Sequence, residues 1–584
     1  MIAKTVLRGI FLTLFACLVP SLDMLEGHDV LAATTLQPNI KRRNLTPLPF
    51  FSFSKSLSFQ SDWARQTNAP VQKAQQKRQF VPGKIIGRLL PPQSVQKELP
   101  RLSRSLDRLK YLPAEMRKKL QTGIVLELDS AYGFHHTFIG QLQHGTQFKG
   151  ANYYMQGHWE STEGEGGGQR EEQRITGQIK VDWDVSKQSK FSLNSSYFQS
   201  SAALPQPQYA NATHKKSAIE LIAGWQWNLE TDTDLFLAWT GELANFDDQE
   251  KSRFEMNRTG AQLTLKHLWT PKNMLLLDSV GSWEIMYQDD SRIDTCYYYT
   301  GTFLNSFAMS DVFAVEAGVK FDYYHSEESS ATDYLIAPVF TTRFRLFRNT
   351  NLYTTYSPRL LIPDFTDLYI KKLYTVLNPD LHAEKIRHAL ETGIHQRFGE
   401  AVSLNIGLFY QESEAVTLQI DDNRDNLLEY IQPGSARFIG IKTNLQMNFL
   451  EQLVQNITYT YTTYKILDWN HVTFSDQFLD EDHLTYQPNH QVQASVYWAT
   501  PFGLSFDFHG IYISEQYRNG KPQDRIGKRF FLNMTLTQKI TEGFQVYVIG
   551  RNLTDTNTYD IIPILDSEEI TSSRLFVGGI RIRF

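Results

Sequence analysis

Arg574-Leu-Phe-Val-Gly-Gly-Ile-Arg-Ile-Arg-Phe584 has two parities that differ in kind. One carries Phe576, Gly578, Ile580, Ile582 and Phe584; the other carries Gly579, Arg581 and Arg583. Side chains of a strand alternate between two faces, so this segment reads as a strand with one oily face and one charged face. In a soluble sandwich the charged face would look at water. In a barrel that crosses an outer membrane, the oily face meets lipid and the charged face meets an aqueous lumen. A last strand of this kind closes on the first and removes both sheet edges.

The rest of the chain repeats the pattern. Ile175, Gly177, Ile179, Val181 and Trp183 oppose Thr176, Gln178, Lys180 and Asp182. Val402, Leu404, Ile406, Leu408 and Tyr410 oppose Ser403, Asn405 and Gln411. Ile439, Ile441, Leu445, Met447 and Phe449 oppose Lys442, Asn444, Gln446 and Asn448, and Val492, Ala494, Val496 and Trp498 oppose Gln491, Gln493 and Ser495. From Thr122 onward about 22 such runs follow one another, each long enough for a tilted membrane strand. Short connections such as Asp184–Gln188, Leu229–Thr233, Thr270–Asn273 and Ile540–Gly543 alternate with long ones. The long ones are Glu160–Gln173, Gln199–Lys216, Pro358–Glu384, Ile420–Ala436, Lys465–Gln487 and Arg551–Ser573. Such sorting predicts an all-β, antiparallel, up-and-down transmembrane barrel with short periplasmic turns and long external loops. A propeller or a sandwich does not sort its loops this way.

Composition agrees. The chain has 584 residues, and aromatic residues make up 13%, with 28 Tyr and 37 Phe. Such residues favour strands and form girdles at membrane interfaces. Mean hydropathy is -0.37, and beyond residue 22 no apolar run is long enough for a transmembrane helix. A net charge of -5 gives no basic bias towards nucleic acid. Cys17 and Cys296 offer neither a metal-ligand spacing nor a disulfide framework.

Residues 1–33 read as an export signal: Lys4 and Arg8, an apolar run from Ile10 to Val19, and a small-residue site at Leu31-Ala32-Ala33. Leu14-Phe15-Ala16-Cys17 loosely resembles a lipoprotein signal, against which stands the plain reading of Cys17 as part of the signal's apolar core. Residues 34–121 are basic and Gly-poor, with only Gly83 and Gly87. Their first half, with Pro47, Pro49 and Pro70, reads as extended or disordered. Leu99, Leu102, Leu106 and Leu109 then recur at helical spacing. Two readings stand for this segment: a solvated periplasmic tail, or a basic insert in an acidic lumen, since the remainder of the chain is distinctly acidic.

Other motifs carry no chemistry of their own. His471, Asp476, Asp480, Glu481, Asp482 and His483, like Asp421, Asp422, Asp425 and Glu429, fall in predicted external loops; hard oxygen ligands there could hold a cation, but a solvated loop, or a divalent bridge to lipopolysaccharide, reads the same way. Gly164–Gly168 lacks the Lys-Ser/Thr partner of a phosphate cradle. His135-His136 lies at a strand turn, and Trp225, Trp227, Tyr297 and Tyr299 read as girdle or lumen residues. No Gly-x-Ser-x-Gly element or triad spacing points to an enzyme.

Tyr353-Thr-Thr-Tyr-Ser-Pro358, Pro363-Asp-Phe-Thr-Asp-Leu-Tyr369, and Asn378-Pro379-Asp380-Leu381 with Glu384 together resemble the central signature of TonB-dependent receptors. Val548-Ile-Gly-Arg-Asn552-Leu553-Thr-Asp555 resembles the family's penultimate strand and turn, and the likeness covers about 122–584. Phe576, Ile580, Ile582 and Phe584 resemble the signal read by the barrel assembly machinery. The resemblance implies an outer-membrane transport protein that takes up a bulky, scarce solute such as a metal chelate. Its surroundings would be outer-membrane lipid and lipopolysaccharide. Its partner would be a TonB-type transducer or a separately encoded plug, with no cofactor and no nucleic acid. Residues 34–121 lack the family's Gly-rich plug elements, and no TonB box is found. A plugless passive channel, or a surface scaffold or adhesin, is therefore the alternative.

Overall fold

The computed structural model describes residues 125–583, apart from 149–150, 164–171, 187, 204–212, 231, 249–251, 271, 311, 329–330, 371–374, 377, 379–380, 400, 421–427, 433, 450–451, 470–483, 518–524 and 557–573. Every long alternating run is a strand. Each pairs antiparallel with its sequence neighbour, and the last, Leu575–Arg583, pairs with the first, Val125–Gly133. The result is a closed barrel of 22 staves. One stave is interrupted: Thr350–Tyr356 and Arg359–Leu361 both lie on Glu384–Phe398, separated by Ser357 and Pro358. Proline has no N–H to give to the ladder, so the break falls where the sequence puts it. Closure leaves no unpaired edge in the barrel wall.

The two faces sort as the alternation predicts. Trp183, Trp239, Trp283, Leu408, Ile439 and Trp498 are exposed on the outer surface. On one side of the barrel Trp269, Phe344, Phe398 and Phe449 lie near the rim of tight turns, while Trp283, Tyr297 and Tyr334 lie higher up. Aromatic residues at two levels bracket the apolar band of a barrel in a bilayer. Trp225 and Trp227 stack with centroids 5.2 Å apart and share the register of outward-facing Phe191 and Leu237. The opposite parity turns polar groups inward: Lys180, Asp278, Lys320, Asp322 and Gln493 are all buried.

All connections on the rim that carries both barrel ends are tight turns, as between Ser186 and Ser189 or Thr270 and Asn273. The opposite rim divides in two. Thr213–Glu230, Thr233–Asp248, Ser252–Thr270, Asn273–Gln288 and Ser291–Ala308 are 16 to 19 residues long, and the connections 249–251, 289–290 and 327–331 among them and their neighbours are short. His490–Ala499, Leu504–Ile513, Phe544–Arg551 and Leu575–Arg583 have only 8 to 10 residues. Here the connections 470–489, 514–528 and 552–574 are long. A bilayer needs about 9–11 residues per tilted strand, so the first group rises beyond it as a wall and the second stops at its surface.

Candidate functional site: a bar across the lumen

The connection 362–383 leaves the outer rim, as its length predicts, but then turns back into the barrel. Leu360 N–H donates to Asp322 Oδ2 at 3.0 Å and fixes its point of departure. A π-turn, Thr366–Ile370, follows. Leu368, Tyr369 and Ile370 are buried against Ala218, Ala244, Phe246, Met256 and Met286, residues of the high wall. Lys216 on that wall seats the turn. Its Nζ donates to Tyr369 O at 2.9 Å and to Thr375 Oγ1 at 3.3 Å, and lies 4.8 Å from the centre of the Phe246 ring. A buried ammonium requires such acceptors, and the ring face adds attraction.

The connection 415–433 completes the structure. Leu418–Ile420 pairs antiparallel with Leu428–Ile431, and Thr375–Val376 pairs parallel with the same strand. Tyr430 packs into the cluster on the high wall. Its neighbour Ile431, with Val416, Leu418 and Ile420, packs into a second cluster formed by Phe409, Phe438, Ile511, Ile513 and Phe531. Successive residues of a strand point to opposite faces, so this one short strand touches both clusters. Thr233–Asp248 is the seventh stave and His490–Ala499 the eighteenth. The bar therefore crosses the lumen between opposite walls.

Two side-chain amides tie its halves. Asn378 Nδ2 donates to Tyr430 O at 2.8 Å, and Tyr369 Oη donates to Asn378 O at 3.1 Å. Gln432 acts like a rung of sheet: its Oε1 accepts from His382 N–H at 2.8 Å and its Nε2 donates to His382 O at 2.7 Å. Burial, with Glu429 adding, pushes the Tyr369 phenol well above its ordinary range, although Asn378 N–H, which donates to the phenol oxygen at 3.3 Å, works the other way. The phenol stays a neutral donor. Beneath the turn, Arg258 faces Glu242 at 3.2 Å, Asp364 at 3.6 Å and Glu284, so the bar also shares in a charge cluster of the wall.

The residues singled out from sequence divide into three places. Asn378 and Leu381 belong to the bar, and Glu384 is buried at its exit, where Oε2 accepts Thr417 N–H at 3.2 Å. Asn552, at φ 47°, turns the chain beyond the penultimate strand and bonds Thr556 N–H and O; Leu553 N–H reaches Leu532 O at 2.8 Å. Phe576, Ile580 and Ile582 lie on the last strand, with Ile580 exposed on the lipid side. Pro379, Asp380 and Phe584, like Asp480, Glu481, Asp482 and residues 34–121, lie outside the described residues. Lys216, Tyr430, Gln432 and Arg258 were not singled out. An Asn or Gln near a Pro in a long loop was the only local signal for two of the bar's ties, and it is a weak one.

The excess acid does not lie on the barrel wall. Residues 122–584 carry 56 acidic and 38 basic residues, net -18, against 4 and 18 in residues 34–121. Connections that leave the outer rim hold 26 acidic and 10 basic residues, net -16, of which the two that form the bar hold 7 and 3; those at the inner rim hold 5 and 4, and the strands 25 and 24. Charges on the wall pair with one another, as Lys320 does with Asp322 at 3.1 Å, and burial requires that balance.

A sequence profile described as "TonB dependent receptor-like, beta-barrel" matches residues 122–553. No curated protein matches the sequence. Among solved structures, the siderophore receptor PiuA from Acinetobacter baumannii superposes with a TM-score of 0.62 at 11% identity, covering 79% of this chain and 82% of that one. The FrpB iron transporter from Neisseria meningitidis gives 0.62 at 11%, covering 80% and 83%. The copper transporter OprC gives 0.59 at 12%, covering 79% and 81%. At these identities the likeness speaks for the fold. With the profile spanning most of the barrel, the chain belongs to the TonB-dependent receptor-like β-barrel family of the bacterial outer membrane.

Proposed function

We propose that this barrel takes up a bulky, scarce solute across the outer membrane, drawing on a TonB-type transducer, and that the solute is a metal complex of neutral or positive net charge. One observation carries the reading: the barrel's own connections cross its lumen, which does not suit a freely open pore. Family and fold are those of transport receptors rather than enzymes. The superposed proteins include siderophore, iron and copper transporters, which favours a metal-containing solute here. The acidic outer rim bears on its charge, since a field of one sign concentrates counter-ions at an entrance and repels like charge. Residues 34–121 are proposed to act at the periplasmic mouth, where they join the first strand, as a basic segment beside a near-neutral lumen wall.

The test is growth on defined metal complexes in a strain stripped of its own receptors. Growth should require both this chain and an active transducer. Uptake that persists after the transducer is deleted would favour the passive channel, and no uptake of any complex would favour the scaffold or adhesin.

A further inference from the structure

We propose that the bar formed by the described residues of connections 362–383 and 415–433 is a built-in barrier in the lumen, closed in the resting protein and latched by Asn378 and Gln432. The inference does not depend on the uptake reading: it holds whether the barrel imports or merely conducts.

Three features carry it. The bar has its own secondary structure, in which one strand, Leu428–Ile431, holds partners from both connections. Its ends are buried in two separate apolar clusters on opposite walls, with Lys216 bonded to its backbone at one of them. Its halves are joined by side-chain amides that act on backbone groups, Asn378 on Tyr430 O and Gln432 on His382 N–H and O. Such ties fix the path of an irregular chain, because a buried backbone group left without a partner is costly. Breaking them loosens 362–383 from 415–433, which then stay joined by the two-residue parallel pair and by the packing of Tyr430 against Tyr369, and it disturbs no rung of the barrel wall, so the bar can part while the barrel stays closed.

Ion conductance of the full chain in planar bilayers bathed in potassium chloride tests the proposal. The wild type should conduct little. The double variant Asn378→Ala, Gln432→Ala should open roughly a hundredfold more often, the Boltzmann weight of losing the hydrogen bonds of both residues. A second variant removes the question of folding. Val376 and Glu429 are register partners in the parallel pair, so Val376→Cys with Glu429→Cys joins the two connections covalently under oxidation. Introduced into the double variant, the disulfide should return conductance to the wild-type level, and a reductant should release it. An Asn378, Gln432 double variant that migrates as folded protein yet conducts like the wild type overturns the proposal. So does conductance that ignores the state of the disulfide.

Discussion

Arg581 on the last strand and Asp129 on the first face each other across the seam that closes the barrel, with Arg581 Nε 3.2 Å from Asp129 Oδ2 and both side chains buried. They are direct register partners. Tyr547 of the preceding strand donates its hydroxyl to Asp129, and Gln545 accepts from Arg581 Nη1 at 3.0 Å. Charge and register are thus fixed together where the two ends of the sheet must find one another.

Removing one member strands the other. Arg581→Met should destabilise the folded barrel by about 3–5 kcal/mol, the cost of leaving a buried charge without its partner. Asp129→Leu added to Arg581→Met should recover more than half of that. Equilibrium unfolding in urea from lipid vesicles, followed by tryptophan fluorescence, measures both. A double variant as unstable as the sum of the singles would show that the two residues are not coupled.

Neighbouring glycines on the last strand should differ. A Cβ on Gly579 would stand 2.3 Å from Tyr547 Cζ and 2.6 Å from Ser130 O, whereas one on Gly578 would meet nothing within 4 Å. Gly579→Ala should cost about 1–3 kcal/mol through overpacking, and Gly578→Ala should behave as wild type in the same unfolding assay.

The topology is open to labelling on intact cells. Cysteines replacing Glu163 and Asp290, at the rim of the long connections, should react with an impermeant maleimide. A cysteine replacing Lys272, in a tight turn at the opposite rim, should react only after the outer membrane is opened. The reverse pattern would invert the barrel in the membrane.

The acidic rim should act on rate more than on affinity. Replacing Asp476, Asp480, Glu481 and Asp482 by Asn or Gln removes four of its charges. Association of a cationic metal complex should slow severalfold and lose much of its dependence on ionic strength, which screens exposed charges over about 10 Å at 0.1 M salt. An anionic complex should gain. If both complexes bind at unchanged rates, the rim does not select for charge.

Phe584 lies outside the described residues, and it continues the parity of the lipid-facing Ile580 and Ile582. Its deletion should lower the fraction of heat-modifiable, folded protein on gels. An unchanged fraction would confine the signal to Phe576, Ile580 and Ile582.

The barrel was legible because its code is local. Alternation such as Val402 to Gln411 or Ile439 to Asn448 orients each stave by itself, and a tight turn such as that after Thr270 forces the next stave to lie alongside. Repeated from Val125 to Arg583, these two rules leave a closed sheet as the arrangement without edges. The signature at Tyr353–Glu384 was equally visible, but as a resemblance, without indicating what Asn378 touches.

The wall, then, can be read from the order of residues: which of them face lipid, which rim carries the long connections, and how many staves there are. The bar follows only from the closed three-dimensional arrangement. Lys216 meets Tyr369 and Thr375 from more than 150 positions away, and Gln432 meets His382 across 50. No periodicity announces such pairs, because an irregular loop has no repeating face, and its partners are chosen by what the closed barrel brings opposite it. The placing of charge follows the same division. Composition sets the total, but only closure makes a buried wall, in which each charge needs a partner, so that the strands stay near neutral and the surplus acid falls in the connections.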